Sequence, residues 1–277
     1  TPRSTAQVAA NGALFACGGS GTSANGTFLI YDSGGDPEAF TSTVFQVGNG
    51  RTFVPGSTPY NFGPLNYFQR PDQRYTAGVF ADYEISESLH PYMEFMFMDD
   101  RTVAQIAPSG NFGNTTSINC DNPLLSPQQL AIVCDTENLL VSNDPARAFD
   151  VVGNSPGEGA FGFTDPSTGA TYNRGFLQPL RRNVEVVGRQ DDLQHTSFRG
   201  LIGMRGDIDQ AGSYDAYYQY GRTNFSQTYR NDFSVSRLGR ALDVVKNADG
   251  NNVCRSTLDG SDPNCVPWDI FAPGNVS

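Results

Sequence analysis

The stretch Gln73–Glu84, QRYTAGVFADYE, decides the fold because it alternates strictly. Tyr75, Ala77, Val79, Ala81 and Tyr83 share one face, and Arg74, Thr76, Gly78, Phe80, Asp82 and Glu84 share the other. The next apolar run, His90–Arg101 (HPYMEFMFMDDR), sets Met93, Phe95 and Phe97 against Tyr92, Glu94, Met96 and Met98. Only Ile85–Leu89 separates the two runs, so they are expected to form a hairpin over 73–101. A second pair repeats the design. Thr196–Ile208 is followed by the turn Asp209–Gly212 and then by Ser213–Thr228, where Tyr214, Ala216, Tyr218 and Tyr220 oppose Asp215, Tyr217, Gln219 and Gly221. This hairpin is expected within 180–233. A β-strand crosses a bilayer in about 9–11 tilted residues, and each of these segments is long enough.

Between the hairpins, 102–179 is rich in Gly, Pro, Asn, Ser and Asp and reads as one long loop. Its one helical candidate is Ser126–Val133, with a capping Ser and a first-turn Pro. Structureless connections beyond about 12–15 residues are unusual in compact soluble domains, whereas outer-membrane barrels combine short periplasmic turns with long extracellular loops. Residues 1–72 carry short strand candidates at Thr27–Tyr31, Thr41–Val47 and Arg51–Val54, and residues 234–277 read as a further loop. The fold class expected is therefore all-β: a segment of an antiparallel transmembrane β-barrel with long extracellular loops and short periplasmic turns.

Composition agrees. Of 277 residues 38% are hydrophobic yet 12% are aromatic, with 12 Tyr and 19 Phe, a balance that favours sheet over a Leu-rich helical core. The net charge of −11 disfavours nucleic acid, whose phosphates need clustered Lys and Arg. No apolar run of helix-spanning length and no signal-peptide pattern is present in the sequence. Cys120 with Cys134 and Cys254 with Cys265 bracket polar segments and are expected as disulfides of an oxidising compartment; closing a loop of roughly 15 residues contributes about 3 kcal/mol. Zinc is the rival, but CxxC spacing is missing and His90 and His195 lie far from both pairs. Cys17 is left over.

Several phrases resemble the barrel of proteobacterial TonB-dependent receptors: Asn66-Tyr67-Phe68-Gln69-Arg70-Pro71 leading through Gln73-Arg74-Tyr75 to Tyr83-Glu84-Ile85, then Arg181-Arg182-Asn183-Val184-Glu185, Thr196-Ser197-Phe198-Arg199-Gly200, Tyr214–Arg222, and Cys254-Arg255 with Asp262–Trp268. The likeness runs over roughly Cys17 to Phe271. It implies a bacterial outer-membrane importer of a scarce nutrient (a siderophore, oligosaccharide or peptide), built as a plugged barrel of roughly 22 strands and driven by an inner-membrane energy-coupling complex. About four membrane strands are recognisable here, with no plug, no TonB box and no closing aromatic strand, so the chain is read as an internal piece of a longer receptor. Coupling would then use regions absent from it. The other reading is a secreted, soluble β-sandwich binding module, possibly one for carbohydrate.

Catalysis is not expected. Asp99-Asp100 and Asp191-Asp192 are paired carboxylates placed near strand ends, and no GxSxG elbow accompanies the two histidines. No cofactor is expected either. The oxygen-rich stretches Asn247–Asn252 and Asp259–Asp262 invite calcium, but Asx-Gly turns explain them without an ion. The tyrosines Tyr75, Tyr83, Tyr92, Tyr214 and Tyr220 suit interfacial girdles beside outer-membrane lipid. Loop aromatics Tyr172, Trp268 and Phe271, with Asp100 and Arg101 at a strand's outer end, are the ligand-binding candidates. Sequons at Asn25, Asn114, Asn224 and Asn275 carry weight only in a eukaryotic secreted setting.

Overall fold

The computed structural model describes residues 18–32, 41–135, 138–140, 162–209 and 212–274. Strands dominate and pair antiparallel throughout. In chain order they are β1 (Thr27–Asp32), β2 (Thr41–Gly48), β3 (Thr52–Pro55), β4 (Asp72–Asp82), β5 (His90–Ile106), β6 (Gly110–Phe112), β7 (Ser117–Asn119), β8 (Phe163–Thr164), β9 (Thr171–Tyr172), β10 (Arg174–Phe176), β11 (Gln178–Arg182), β12 (Arg189–Asp207), β13 (Ser213–Arg230), β14 (Val244–Lys246) and β15 (Asn252–Cys254). The helices are α1 (Pro127–Val133), α2 (Val235–Leu242) and α3 (Arg255–Leu258). Two compact units share the chain, one from 1–63, 108–187 and 232–277, the other from 64–107 and 188–231.

The second unit is a four-stranded sheet in the order β13-β12-β5-β4. Its two hairpins are joined by pairing of β12 with β5, in a register that sets Leu201 opposite Glu94 and His195 opposite Asp100. β5, β12 and β13 run to 17, 19 and 18 residues, well beyond the length a bilayer crossing needs. Thr102–Ile106 therefore belong to β5 and not to a loop, because Arg189–Leu193 extend β12 to meet them. Asp100 and Arg101 consequently sit inside the strand and not at its outer end. Gly203 is obligatory in this sheet: a Cβ there would lie 2.3 Å from the Tyr92 ring.

The first unit holds a five-stranded sheet in the order β3-β2-β1-β11-β6, so part of the stretch expected as a long loop is strand. Its strands β6 and β11, three and five residues long, are too short to display a period, and their partners lie far away in sequence, as Thr27 pairs with Leu180 and Leu180 with Phe112. Phe28 is fully buried at the centre of the core, its ring 4.9 Å from Phe53 and 6.1 Å from Phe271. Val133, Ile118, Leu177, Leu238, Leu242 and Ile270 fill in around it.

Helix α1 is fixed by its own sequence. Ser126 caps it, accepting from the Gln129 N–H, while the Gln129 carboxamide accepts from the Ser126 N–H and donates to the Phe271 carbonyl at 2.9 Å. Gln128 meanwhile grips both backbone groups of Phe53 at 2.9 Å, as a neighbouring strand would. Gly175 lets α1 approach, since a Cβ there would stand 2.1 Å from the Val133 carbonyl. Helix α2 was hidden in the sequence by Gly239 and by its brevity; Leu238 and Leu242 are its buried residues.

The single Trp, Trp268, lies in this unit and reports on it. Replacing Phe28 by Ala should lower the unit's stability by about 3–5 kcal/mol, read as an earlier urea midpoint of Trp268 fluorescence. An unchanged midpoint would mean that Phe28 does not anchor the core.

Candidate functional site

Because the side-chain period of a strand is two, the register divides the four-stranded sheet into two faces of different chemistry. On one face, the half nearer the short turns is apolar: Ala77, Val79 and Ala81 on β4, Met93, Phe95 and Phe97 on β5, Phe198, Ile202 and Met204 on β12, and Ala216 and Tyr218 on β13. Many of these are open to solvent, with Val79 52%, Ile202 63% and Tyr218 68% exposed. Tyrosines bound the band. Tyr75 stands at one limit and Tyr83 and Tyr214 at the other, while Tyr220 lies within the band in the row of Val79 and Phe95. The eight residue steps from Tyr75 to Tyr83 span about 26 Å along the chain, close to the height of a lipid-facing band once tilt is allowed for.

Arg222 stands within the Phe97–Phe198 row, and beyond that row the same face is polar except for Val103. Asp99, Arg101, Gln190, Asp192, Gln194, Thr196, Asn224 and Arg230 occupy it. Asp192 accepts from Arg101 at 2.7 and 3.0 Å and from Arg230 at 3.1 Å, and Asp99 accepts from the Thr196 hydroxyl at 2.7 Å.

The opposite face is mixed, with ion pairs at several rows, some of them behind the apolar band, beside the exposed Phe80, Met96, Tyr217 and Phe225. There Arg199 pairs with Glu94 and Arg205 with Asp82, and the Tyr92 hydroxyl donates to Asp215 at 2.6 Å. Farther along, Arg74 pairs with Asp100 at 3.1 Å. Arg101 and Asp100, neighbours in sequence, thus point to opposite faces and cannot line one pocket. The same alternation separates Asp99 from Asp100 and Asp191 from Asp192, which leaves no two-carboxylate site at either position.

The remaining candidates lie in the first unit. Phe271 has no exposed surface and is a core residue. Trp268, half-buried, packs on Phe233 at 5.7 Å and under the Arg181 guanidinium at 5.7 Å. Tyr172 covers the Arg255 guanidinium, 3.8 Å from its ring centre. Arg255 is the residue that reading the sequence missed. Its side chain is 5% exposed and joins three carboxylates: Asp121 at 2.7 and 2.8 Å, Asp243 at 3.2 Å, and Asp165. Cys120 and Cys254, the immediate neighbours of Asp121 and Arg255, are each closed into a disulfide, with Cys134 and Cys265 respectively. A concavity of about 800 Å³ opens beside this cluster, lined by Asp121, Thr168, Tyr172, Lys246 and Leu258. Cys17 lies outside the described residues.

Charges in the cluster follow its geometry. Burial works to raise the Asp165 carboxyl, but hydrogen bonds from the Ser167 hydroxyl and N–H, from Arg255 and from the Thr168 N–H outweigh it and hold the pKa at about 2. Burial, and then Asp243, push the Tyr172 phenol up. Burial opposes the charge on Arg255, yet Asp121 and Asp243 leave it more firmly protonated than a free arginine. Outside the cluster, the two oxygen-rich stretches form Asx turns: Asn247 accepts from the N–H groups of Asp249 and Asn251, and Asp259 from that of Ser261.

No protein-family model matches the chain, and no curated protein matches it.

A carboxylate held below its ordinary pKa stabilises the fold above that ordinary value and loses the contribution as pH falls toward the folded one. The stability of the first unit should therefore drop between pH 4 and pH 2, with about 2 kcal/mol from Asp165. Trp268-monitored urea unfolding of Asp165→Asn, which has no carboxyl to protonate, should show a smaller drop over that interval; an equal drop would remove Asp165 from the account.

Proposed function

We propose that this chain is part of an outer-membrane β-barrel receptor of the TonB-dependent kind, importing a scarce nutrient across a bacterial outer membrane. The observation that carries the reading is the division of the four-stranded sheet: an exposed apolar band with tyrosines at both limits on one face, and ion pairs at the same rows on the other. A water-soluble sheet with one buried face has no use for arginine–carboxylate pairs behind an exposed row of Phe, Met and Ile. A barrel wall has a use for both, because one side meets acyl chains and the other a wet lumen.

Direction follows from the connections. The turns over 83–89 and 208–212 are short and take the periplasmic side, while the long connections leave from the Asp72, Ile106, Arg189 and Arg230 ends and take the outer side. The two disulfides of the first unit suit an extracytoplasmic compartment, where thiols stay oxidised. The sheet's outer edges, β4 and β13, have no further strand partner among the described residues, as wall strands of a larger barrel would need. The sequence phrases gathered around Gln73-Arg74-Tyr75 and Tyr214–Arg222 support the same family.

Ile202 tests this directly, since it is 63% exposed at the middle of the band. Ile202→Arg should destabilise the full-length protein in lipid vesicles by about 2–4 kcal/mol in urea unfolding. In a soluble module the same exposed substitution would stay within about 0.5 kcal/mol. Partition of the full-length gene product into the soluble fraction as a monodisperse monomer would contradict the proposal outright.

A further inference from the structure

We infer that Asn49-Gly50, at the turn between β2 and β3, is a site of spontaneous deamidation and isomerisation, and that the Thr52 hydroxyl promotes the reaction there. All three residues belong to the first unit, so the site stands apart from the membrane reading. The chemistry is that of a backbone amide attacking the carboxamide before it. The Gly50 nitrogen gives its proton to solvent base and attacks Cγ of Asn49. A C–N bond forms, the side-chain nitrogen leaves as ammonia after taking a proton from water, and a cyclic succinimide closes. Water then opens one imide carbonyl or the other, leaving aspartate or isoaspartate at position 49. Glycine favours the attack because it has no Cβ to crowd the closing ring.

The sequence holds three Asn-Gly pairs, at 11–12, 25–26 and 49–50, and the last two lie among the described residues. They differ in what the attacking nitrogen is doing. The Gly26 N–H donates to the Ser23 carbonyl at 3.3 Å, and Gly26 is buried against the Phe28 ring, which a Cβ there would meet at 2.7 Å. The Gly50 N–H makes no hydrogen bond among the described residues, and Asn49 and Gly50 are both exposed. An amide that is already hydrogen-bonded must give up its partner before it can ionise and turn on the side chain, whereas Gly50 has nothing to give up. Thr52 supplies the second difference. Its hydroxyl donates to the Asn49 carbonyl at 2.9 Å. That oxygen shares a peptide group with the Gly50 nitrogen and takes up negative charge when the N–H ionises, so the hydrogen bond favours the nucleophilic form. Isomerisation has a consequence for the hairpin. Isoaspartate runs the backbone through Cβ and lengthens the turn between Gly48 and Thr52, which pair across β2 and β3. It also sets a new carboxylate two residues from Arg51, whose guanidinium holds Asp269 and, at 2.8 Å, the Leu124 carbonyl.

The test is peptide mapping by mass spectrometry, with isoaspartate counted by a protein isoaspartyl methyltransferase and labelled methyl donor, on the full-length gene product held folded at mildly alkaline pH. Position 49 should convert, gaining about 1 Da, while Asn25 converts at least about fivefold more slowly, the factor that breaking one hydrogen bond first imposes. In urea the two sites should convert at equal rates, since nothing but the fold distinguishes them. Thr52→Val should slow conversion at 49 by about threefold in the folded protein, with the rate at Asn25 and the rates in urea unchanged. Equal conversion of the two sites in the folded protein, or no conversion at 49, would overturn the inference, and an unslowed Thr52→Val would remove Thr52 from it.

Discussion

The pleat of one sheet governs everything else here. Because neighbouring residues on a strand face opposite ways, Phe95 and Met96, or Ile202 and Gly203, meet different surroundings by geometry alone. A one-residue slip of β12 against β5 would carry Arg199 and Arg205 into the apolar band and Phe198 and Ile202 behind it. Register is therefore held from both sides, by ion pairs such as Arg199–Glu94 on the mixed face and by the continuity of the apolar rows on the other. The tyrosines at each limit complete the arrangement, with phenol hydroxyls suited to the zone where hydrocarbon meets water.

The first unit rests on a different principle. Its core is small and aromatic, centred on Phe28, Phe53 and Phe271, and much of its chain is irregular. Irregular backbone needs partners, and side chains supply them: Gln128 and Gln129 for β3 and the last segment, and Arg182 for the carbonyls of Thr22 and Pro108. Arg255 gathers three separate segments through Asp121, Asp165 and Asp243. Removing one partner of such a buried cluster would leave an uncompensated charge, which accounts for its full set of hydrogen bonds. The disulfides next to Asp121 and Arg255 restrict both residues to the region where they meet.

What could be read from the sequence divides along the same line. The β4–β5 and β12–β13 hairpins were legible because ten or more residues of strict alternation are hard to mistake, and the faces assigned to Tyr75, Val79, Phe95 and Tyr218 follow from period alone. Helix α1 was legible from Ser126, Pro127 and Gln129, which cap it locally. The outer halves of β5 and β12 were not, since Thr102–Ile106 (TVAQI) shows no sustained alternation and Arg189–His195 is polar on both faces apart from Leu193, so both look like loop until they are paired. Nor were the three-residue strands β6, at the edge of the five-stranded sheet, and β7 and β10, which form a two-stranded sheet, because their partners lie far along the chain. Arg255 escaped for a related reason: its carboxylates lie 12, 90 and 134 residues away, and no local pattern announces them.

The central claim is that one face of this sheet touches acyl chains and the other does not. Tryptophan placed by Phe95→Trp or Met96→Trp, each in a Trp268→Phe background of the full-length protein reconstituted in bilayers containing brominated lipid, measures this at two adjacent residues. Strong quenching at position 95 with little at position 96 is the result expected. Equal quenching at the two positions, or quenching at 96 alone, would contradict the account.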